Sequence, residues 1–196
     1  MQERRSNADR SQQTRAALLE AGRAIFVEKG FAQSATPDVV ARANLTRGAL
    51  YHHFSGKQAL FRAVVEAEAA QIAAEIDAET TEAKSPLDAL LAGARAFFTA
   101  MQKPGRARLL LVEGPSALGP EEMRRIDLET GGQALRQGIT EAMGSAALPS
   151  EIAATADLVS AMFDRAALAA DGGADVETYS ETIAALLKAM VQRNRV

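Results

Sequence analysis

Between Thr46 and Lys57 the chain carries polar side chains spaced to fall along one side of a short helix. Thr46 has the hydroxyl of a helix N-cap, and Arg47 follows at the helix start. An arginine in this place can donate two hydrogen bonds to the O6 and N7 atoms of a guanine, which is worth about 1–3 kcal/mol of discrimination. The Tyr51 hydroxyl, the His52 ring and the Lys57 ammonium suit phosphate oxygens. The chemistry that this pattern indicates is recognition of double-stranded DNA.

Small residues accompany these donors. Gly48 has no side chain, so the start of the helix can approach a ligand closely. Thr36 precedes Pro37, as a hydroxyl N-cap precedes the first-turn position that favours proline, and this predicts a second helix start. The predicted DNA-contacting residues are Thr36, Thr46, Arg47, Gly48, Ala49, Tyr51, His52 and Lys57.

Two short helices and a tight turn would position these side chains. Val39 and Ala43 give the first helix a narrow apolar side, and Asn44 is of a type that readily enters the left-handed region. Leu50 and Phe54 point one way from the second helix. Two helices joined by about three or four residues form a helix-turn-helix, whose second helix can enter a major groove. An ordinary capped surface hairpin fits the same local pattern, so the residues alone leave both interpretations open.

The same segment matches a known pattern. The predicted helix that precedes these two, the first of the whole chain, carries Ala21, Phe26 and the pair Gly30-Phe31. These are the positions at which TetR/AcrR-type transcriptional regulators have an Ala, a Phe and a Gly-Phe pair. Residues 14–60 therefore resemble the DNA-binding domain of that family.

The turn and the recognition helix extend the resemblance. Residues 43–46 read Ala-Asn-Leu-Thr where the family has Ala-Gly-Val-Ser. Residues 47–54 read Arg-Gly-Ala-Leu-Tyr-His-His-Phe where it has Lys-Gly-Thr-Leu-Tyr-His-Tyr-Phe, and Lys57 matches the lysine that follows. Asn44 and Ala49 are departures from the usual Gly and Thr. The resemblance implies a homodimeric regulator whose DNA-binding heads change their spacing when a small, largely hydrophobic effector binds.

The 196-residue chain has the composition of a globular protein, with 47% hydrophobic and 24% charged residues. Cysteine is absent, which excludes disulfides, thiolate zinc sites and a cysteine nucleophile. No run approaches the roughly 20 apolar residues that span a bilayer, and the polar N-terminus does not resemble a secretory signal. We therefore expect a cytoplasmic protein with no metal and no cofactor.

Charge is divided unevenly along the chain, although the net charge is only −3. Residues 1–62 hold ten Lys and Arg against five Asp and Glu, whereas residues 63–196 hold twelve against twenty. A basic N-terminal part on an acidic remainder suits a head that meets phosphates and a body that does not.

The polar stretch at residues 1–10 contains Arg4, Arg5 and Arg10, before a first helix that we expect to begin near Ser11. We interpret this stretch as a flexible basic arm. Such an arm is either simply solvated or reaches along a bound duplex.

Helical periodicity continues from Lys57 almost to the end, with no strand-like alternation. We predict an all-α fold, with a three-helix helix-turn-helix domain at residues 1–56 and a helical effector-binding and dimerisation domain at residues 57–196. A long amphipathic helix from Lys57 to about Thr80 would link them. The further predicted helices run from Pro86 to Met101, Arg106 to Val112, Pro120 to Met143, Pro149 to Ala170 and Asp175 to Gln192, with a loop at residues 113–120.

The middle helices carry apolar side chains with a few polar ones among them, which is typical of a ligand pocket. Apolar stripes of this kind usually form a core. The candidate effector-binding residues are Arg95, Phe97, Phe98, Met101, Leu110, Glu113, Ser116, Met123, Arg124 and Ile126. A ligand at this place shifts the heads only if its affinity differs between their two arrangements.

The last two helices carry more apolar surface than one small body would cover. Pairing across a two-fold axis would give a four-helix interface. The candidate interface residues are Ile152, Val159, Phe163, Ile183, Leu187 and Met190. Two recognition helices about 34–36 Å apart would meet successive major grooves, so we expect a palindromic operator.

Two other classes of protein were weighed. An enzyme is disfavoured, because the chain has no His-Glu-x-x-His, no Gly-x-Ser-x-Gly and no phosphate-binding glycine loop. A helical adaptor that binds other proteins would explain the last two helices but not residues 46–57. The predicted function is a sequence-specific DNA-binding regulator, a repressor that an effector releases from its operator, and an adaptor without DNA binding is the alternative.

Overall fold

The computed structural model, which describes residues 7–144 and 147–193, is 85% helical and has no strand in those ranges. The predicted all-α fold is confirmed. The described helices are α1 (Asn7–Gln33), α2 (Thr36–Arg42), α3 (Arg47–His53), α4 (Lys57–Thr80), α5 (Pro86–Met101), α6 (Arg106–Arg108), a π turn (Leu109–Glu113), α7 (Gly114–Leu118), α8 (Pro120–Glu129), α9 (Gly131–Met143), α10 (Pro149–Asp171) and α11 (Val176–Arg193). We call α1–α3 the head and α5–α11 the body.

The N-terminal end differs from the predicted arm. Arg4 and Arg5 lie outside the described residues. Arg10 belongs to α1, which begins at Asn7 and therefore before the predicted start near Ser11. The Arg10 guanidinium donates to the Asn7 side chain at 2.6 Å, a local contact that favours the early helix start.

The head and α4 share one apolar core. Leu18 of α1, Leu50 of α3 and Leu60 of α4 are fully buried, and the same cluster continues through Ile72 to Ala107 at the body. The apolar side chains of α4 recur at helical spacing and contact the head near its start and the body further along. The helix is therefore packed along its length. The long helix therefore connects head and body as the sequence predicted.

A second apolar cluster lies between α5, α9, α10 and α11. Phe98 of α5 and Phe163 of α10 are buried there with their ring centroids 5.8 Å apart. Phe97 lies 5.3 Å from Phe163. Tilted and edge-to-face aromatic contacts of this kind stabilise a core beyond the area that they bury.

The stretch predicted as a loop at residues 113–120 is largely helical. Pro115 lies in the first turn of α7, where proline is tolerated. Before it comes the π turn, in which the Gly114 N–H donates to the Leu109 carbonyl. In a regular helix the proline ring would meet the carbonyl four residues earlier, and the wider turn avoids that clash.

The single helix predicted from Pro120 to Met143 is two helices. Thr130 breaks it with φ −121° and ψ −101°. The Thr130 hydroxyl donates back to the Ile126 carbonyl at 2.8 Å, a bond that competes with the helical ladder. Gly131 and Gly132 follow, and glycine has a low helix propensity.

Five of the six predicted interface residues are buried within the protomer. They are Ile152, Val159, Phe163, Ile183 and Leu187, and Met190 is partly buried beside them. The reason is that α10 and α11 turn these sides toward α5 and α9. The opposite sides carry Leu158, which is 67% exposed, and Leu186, which is 50% exposed.

None of the described helices would make a membrane-spanning segment, since none combines the length with the apolar character that this requires.

Candidate nucleic-acid interface

The start of α3 is fixed by its own side chains. Thr46 is extended, and its hydroxyl accepts a hydrogen bond from the Ala49 N–H at 3.1 Å. Asn44 has a φ of 53°, the left-handed conformation predicted for the turn. Leu50 and Phe54 are buried on the inner side, so the predicted orientation of α3 is confirmed.

The outer side of α3 is open to solvent. Arg47, Gly48 and His52 are exposed, and 48% of Tyr51 is exposed. Ala49 is half-buried at the edge of this side. The α3 side chains that are predicted from the sequence to contact bases and phosphates therefore point away from the core of the head.

Thr36 meets this surface from α2. It is the first residue of α2 rather than its N-cap, because Ala35 occupies the N-cap position and no side chain caps the helix. The pKa of the Tyr51 hydroxyl is lowered, first by the Arg47 side chain and then by the Thr36 side chain near it. Two helices thus bring three predicted DNA-contacting residues together at one point.

Lys57, the partly buried first residue of α4, is hydrogen-bonded to the head. Its ammonium donates to the Phe31 carbonyl at 2.8 Å and to the Ser34 carbonyl at 3.0 Å. It also lies 4.3 Å from the centroid of the Phe31 ring. These contacts satisfy carbonyls at the end of α1, as a lysine at a helix C-terminus can. Lys57 thus links α1 to α4, and its phosphate contact stays a prediction.

Two ion pairs fix α2 against α1. Lys29 and Asp38 are 2.6 Å apart, and Arg42 and Glu28 are 2.7 Å apart. The hydrogen bond from Arg42 lowers the pKa of Glu28. Both pairs are exposed, so each adds little stability.

The head and the body each match a described family. The pattern of "Bacterial regulatory proteins, tetR family" matches residues 18–64. The pattern of "Tetracyclin repressor-like, C-terminal domain" matches residues 87–193, which is more than half of the chain. The chain belongs to the TetR family of bacterial transcriptional regulators. The resemblance inferred from residues 14–60 is confirmed, and the outward side of α3 belongs to a DNA-binding domain.

Individual relatives agree with this assignment. The chain is 30% identical to the A-factor receptor protein of Streptomyces griseus over 114 residues, which is 57% of this chain and 39% of that protein. It therefore spans about two fifths of the length of this relative. A TetR-family regulator from Pectobacterium atrosepticum is 29% identical, with a TM-score of 0.67 over 95% of both chains. FadR from Bacillus subtilis, solved in complex with stearoyl-CoA, shares the fold at 15% identity, with a TM-score of 0.77 over 89% of this chain and 98% of that one.

The apolar candidates for the effector pocket of this TetR-family protein lie in packed surroundings. Phe97 and Phe98 meet Phe163 in the second cluster, while the others belong to the first cluster or pack against it. Those others are Met101, Leu110, Met123 and Ile126. The structure thus divides these residues between the two clusters, and Phe97 packs against both.

The polar candidates are spread over the surface of the body. Arg95 and Ser116 are exposed, and Arg124 pairs with Asp157 at 3.2 Å on the outside. Glu113 instead turns toward the head, where it accepts a hydrogen bond from the Phe31 N–H. One open groove between α8 and α9 has a volume of about 570 Å³, and none of the ten candidates lines it.

Sequence reasoning missed a buried ion network at the junction of head and body. Arg106 is fully buried, and its Nε donates to Glu68 at 2.9 Å. The same Glu68 accepts a bond from Arg23 of α1 at 2.9 Å, and Arg106 also reaches Glu75 at 3.0 Å. Burial by itself would raise the pKa of Glu68, but the two guanidiniums outweigh it and leave that pKa lowered. The available signal was a lone glutamate among the apolar positions of α4.

It also missed a pair of carboxyl groups between α8 and α10. Burial, and then the charge of Asp127, raise the pKa of Asp164 to about 6. Partial desolvation raises the pKa of Asp127 as well, although that residue is exposed overall. The two residues belong to different helices, so their separation in the sequence does not predict that they are close in space.

Proposed function

We propose that this TetR-family regulator is a repressor that works in the bacterial cytoplasm. It binds a palindromic operator as a homodimer and leaves it when a small, largely hydrophobic effector binds the body. Residues 1–56 form the DNA-binding part of this device, and residues 57–196 form the effector-binding and dimerisation part.

The outward side of α3 is the observation that supports this proposal most strongly. Arg47 at the helix start is exposed and would reach base edges, where a bidentate contact selects guanine. Tyr51 and Thr36 would meet phosphates on either side of it. Gly48 leaves room for the backbone to come close, and His52 extends the contact along the groove.

Exposed apolar side chains on the last two helices support the homodimer. Leu158 and Leu186 project from sides of α10 and α11 that none of the described helices covers. Apolar side chains of this size on neighbouring helices are typical of a four-helix interface. We place the contact with the second copy on these sides, with Met162 and Met190, both partly buried, at its edge.

We place the effector between α5 and α10, where Phe97 and Phe163 are in aromatic contact. A ligand at this place has to part Phe97 from Phe163, so its binding is coupled to a change in the body. FadR, which shares the fold, is described with stearoyl-CoA, and this supports a ligand with a long apolar part.

Selection of bound fragments from the genome of the parent bacterium tests the proposal. We expect palindromic fragments, and we expect their affinity to fall steeply with salt because phosphate contacts release counterions. Failure to retain DNA at low salt would contradict the proposal and favour the adaptor. Transcription from the selected promoter with and without the protein then distinguishes a repressor from an activator.

A further inference from the structure

The polypeptide kinks at Gly30, near the end of α1. Gly30 has φ 73° and ψ 167°, so the helix is interrupted one residue before Phe31. A side chain at this φ would be strained, and a Cβ on Gly30 would lie 2.9 Å from Glu113 Oε1. The chain thus leaves α1 at a point where a carboxylate of the body lies directly against its backbone.

Glu113 accepts the hydrogen bond of the peptide that follows the kink. Its Oε2 lies 2.9 Å from the Phe31 nitrogen. The kink at Gly30 interrupts the helical hydrogen bonding of α1 just before this N–H. The Glu113 side chain is only 17% exposed, and Arg108 approaches it from the solvent side at 3.5 Å. A charge-assisted bond in a partly buried place is stronger than a neutral one.

The π turn presents this carboxylate. Glu113 is its last residue, and the extra residue of a π turn rotates the side chain away from where an α-helix would direct it. Gly114 follows, and a Cβ there would lie 2.8 Å from the Met123 sulfur of α8. The backbone directly after Glu113 is therefore packed closely against α8.

The other end of the same peptide segment is held by α4. Lys57 binds the carbonyls of Phe31 and Ser34, while the Ser34 hydroxyl binds the Gly30 carbonyl at 2.5 Å. Residues 30–34 lead directly into α2 and then α3. Glu113 of the body and Lys57 at the start of α4 thus both hydrogen-bond the segment that leads to the recognition helix.

We propose that Glu113 is a positioning residue for DNA recognition. Its carboxylate holds residues 30–34 against the body and so sets the angle of the head, which in the proposed homodimer determines the half-site spacing that is read. The inference rests on the proposed function for its consequence on operators. The hold on the head itself is a property of a single chain.

A distance between head and body tests the hold without DNA. The chain has no cysteine, so spin labels go only on Ala41→Cys in α2 and Thr99→Cys in α5, both exposed positions, in samples diluted with unlabelled protein. We expect a narrow distance distribution that broadens or shifts by several ångströms in Glu113→Ala. Glu113→Gln keeps an acceptor oxygen and should restore most of it, and Glu121→Ala, an exposed glutamate of α8, should change nothing. An unchanged distribution in folded Glu113→Ala overturns the inference.

Palindromic operators that differ only in spacer length test the consequence. We expect the parent protein to prefer one spacer by tenfold or more, and Glu113→Ala to reduce that preference to threefold or less while binding a single half-site within twofold of the parent. Equal loss on every spacer would show that Glu113 merely stabilises the head, which also overturns the inference. If the labels respond but the parent protein binds no operator, the proposed function fails and the hold on the head stands.

Discussion

Arg106 Nε donates to Glu68 Oε2 across 2.9 Å, and neither side chain has more than 6% of its surface exposed. The pair joins the start of α6 to the middle of α4. The cost of taking two charges out of water is recovered only when the geometry is good and the remaining donors are satisfied. Here Ala100 and Glu75 accept the other Arg106 bonds, so the network is complete.

Glu68→Met should lower the free energy of unfolding by about 3 kcal/mol, because it leaves Arg106 buried with one carboxylate fewer. The double variant Glu68→Met/Arg106→Met should recover most of that loss, since an apolar pair needs no desolvation. Urea unfolding of Glu68→Met, Arg106→Met and the double variant measures this coupling. Purely additive losses would mean that the pair does not act as a unit.

The pH dependence of this pair has a definite sign. The folded-state pKa of Glu68 is lowered, so its contribution is present above the unfolded value near 4.5 and is lost as pH falls through the folded value. The difference in stability between the parent protein and Glu68→Met should therefore shrink below pH 4.5.

Arg47→Ala should weaken operator binding by about 10- to 100-fold and relax the choice of base at one position, as expected for loss of a bidentate guanine contact. Binding selections with the parent and the variant measure the consensus at each position. An equal loss on all sequences would instead identify Arg47 as a phosphate contact.

Tyr51→Phe should lower operator affinity without altering the consensus, because a phosphate contact carries no base information. The variant keeps the ring and removes the hydroxyl that Arg47 and Thr36 approach. The salt dependence of binding, measured beside the parent protein, checks this. A changed consensus would show that the hydroxyl also orients Arg47.

Asp164→Asn should stabilise the protein at neutral pH. The folded-state pKa of Asp164 is raised to about 6, so the folded protein binds an extra proton between about pH 4 and pH 6 and loses stability as pH rises through that range. Since the side chain is partly exposed, we expect a gain of about 1–2 kcal/mol at pH 7.5 and about a third of that gain at pH 4.5. Asp157→Asn, on the outside of the same helix, is the matched control for thermal unfolding at both pH values and should show no such gain.

Leu158→Glu should convert the proposed homodimer to monomers, because it puts a charge into the apolar contact between copies. Leu128→Glu, at an exposed leucine of α8, is the matched control and should stay dimeric. Sedimentation measures the mass, and affinity for a palindrome should fall with loss of the dimer. A variant that keeps the mass of the parent would move the interface elsewhere.

The helix-turn-helix could be predicted because its signals are local. The Thr46 cap, the left-handed Asn44 and the inward Leu50 act within a few residues, and each is where the pattern placed it. The body gave a weaker signal, because an apolar stripe on a helix does not say which helix will cover it. That is why Val159 and Leu187 were assigned to a second copy although the same chain buries them.

What the sequence by itself determined is the recognition helix, its cap and the side that it exposes, since backbone preferences and side-chain period decide these over a single turn. Only the tertiary structure decided the roles of Lys57, Glu113 and Arg106. Their partners lie 26, 82 and 38 residues away along the chain. The sequence around a charged residue does not show which distant carbonyl, peptide or carboxylate it will contact, because only the packing of the helices brings the two together.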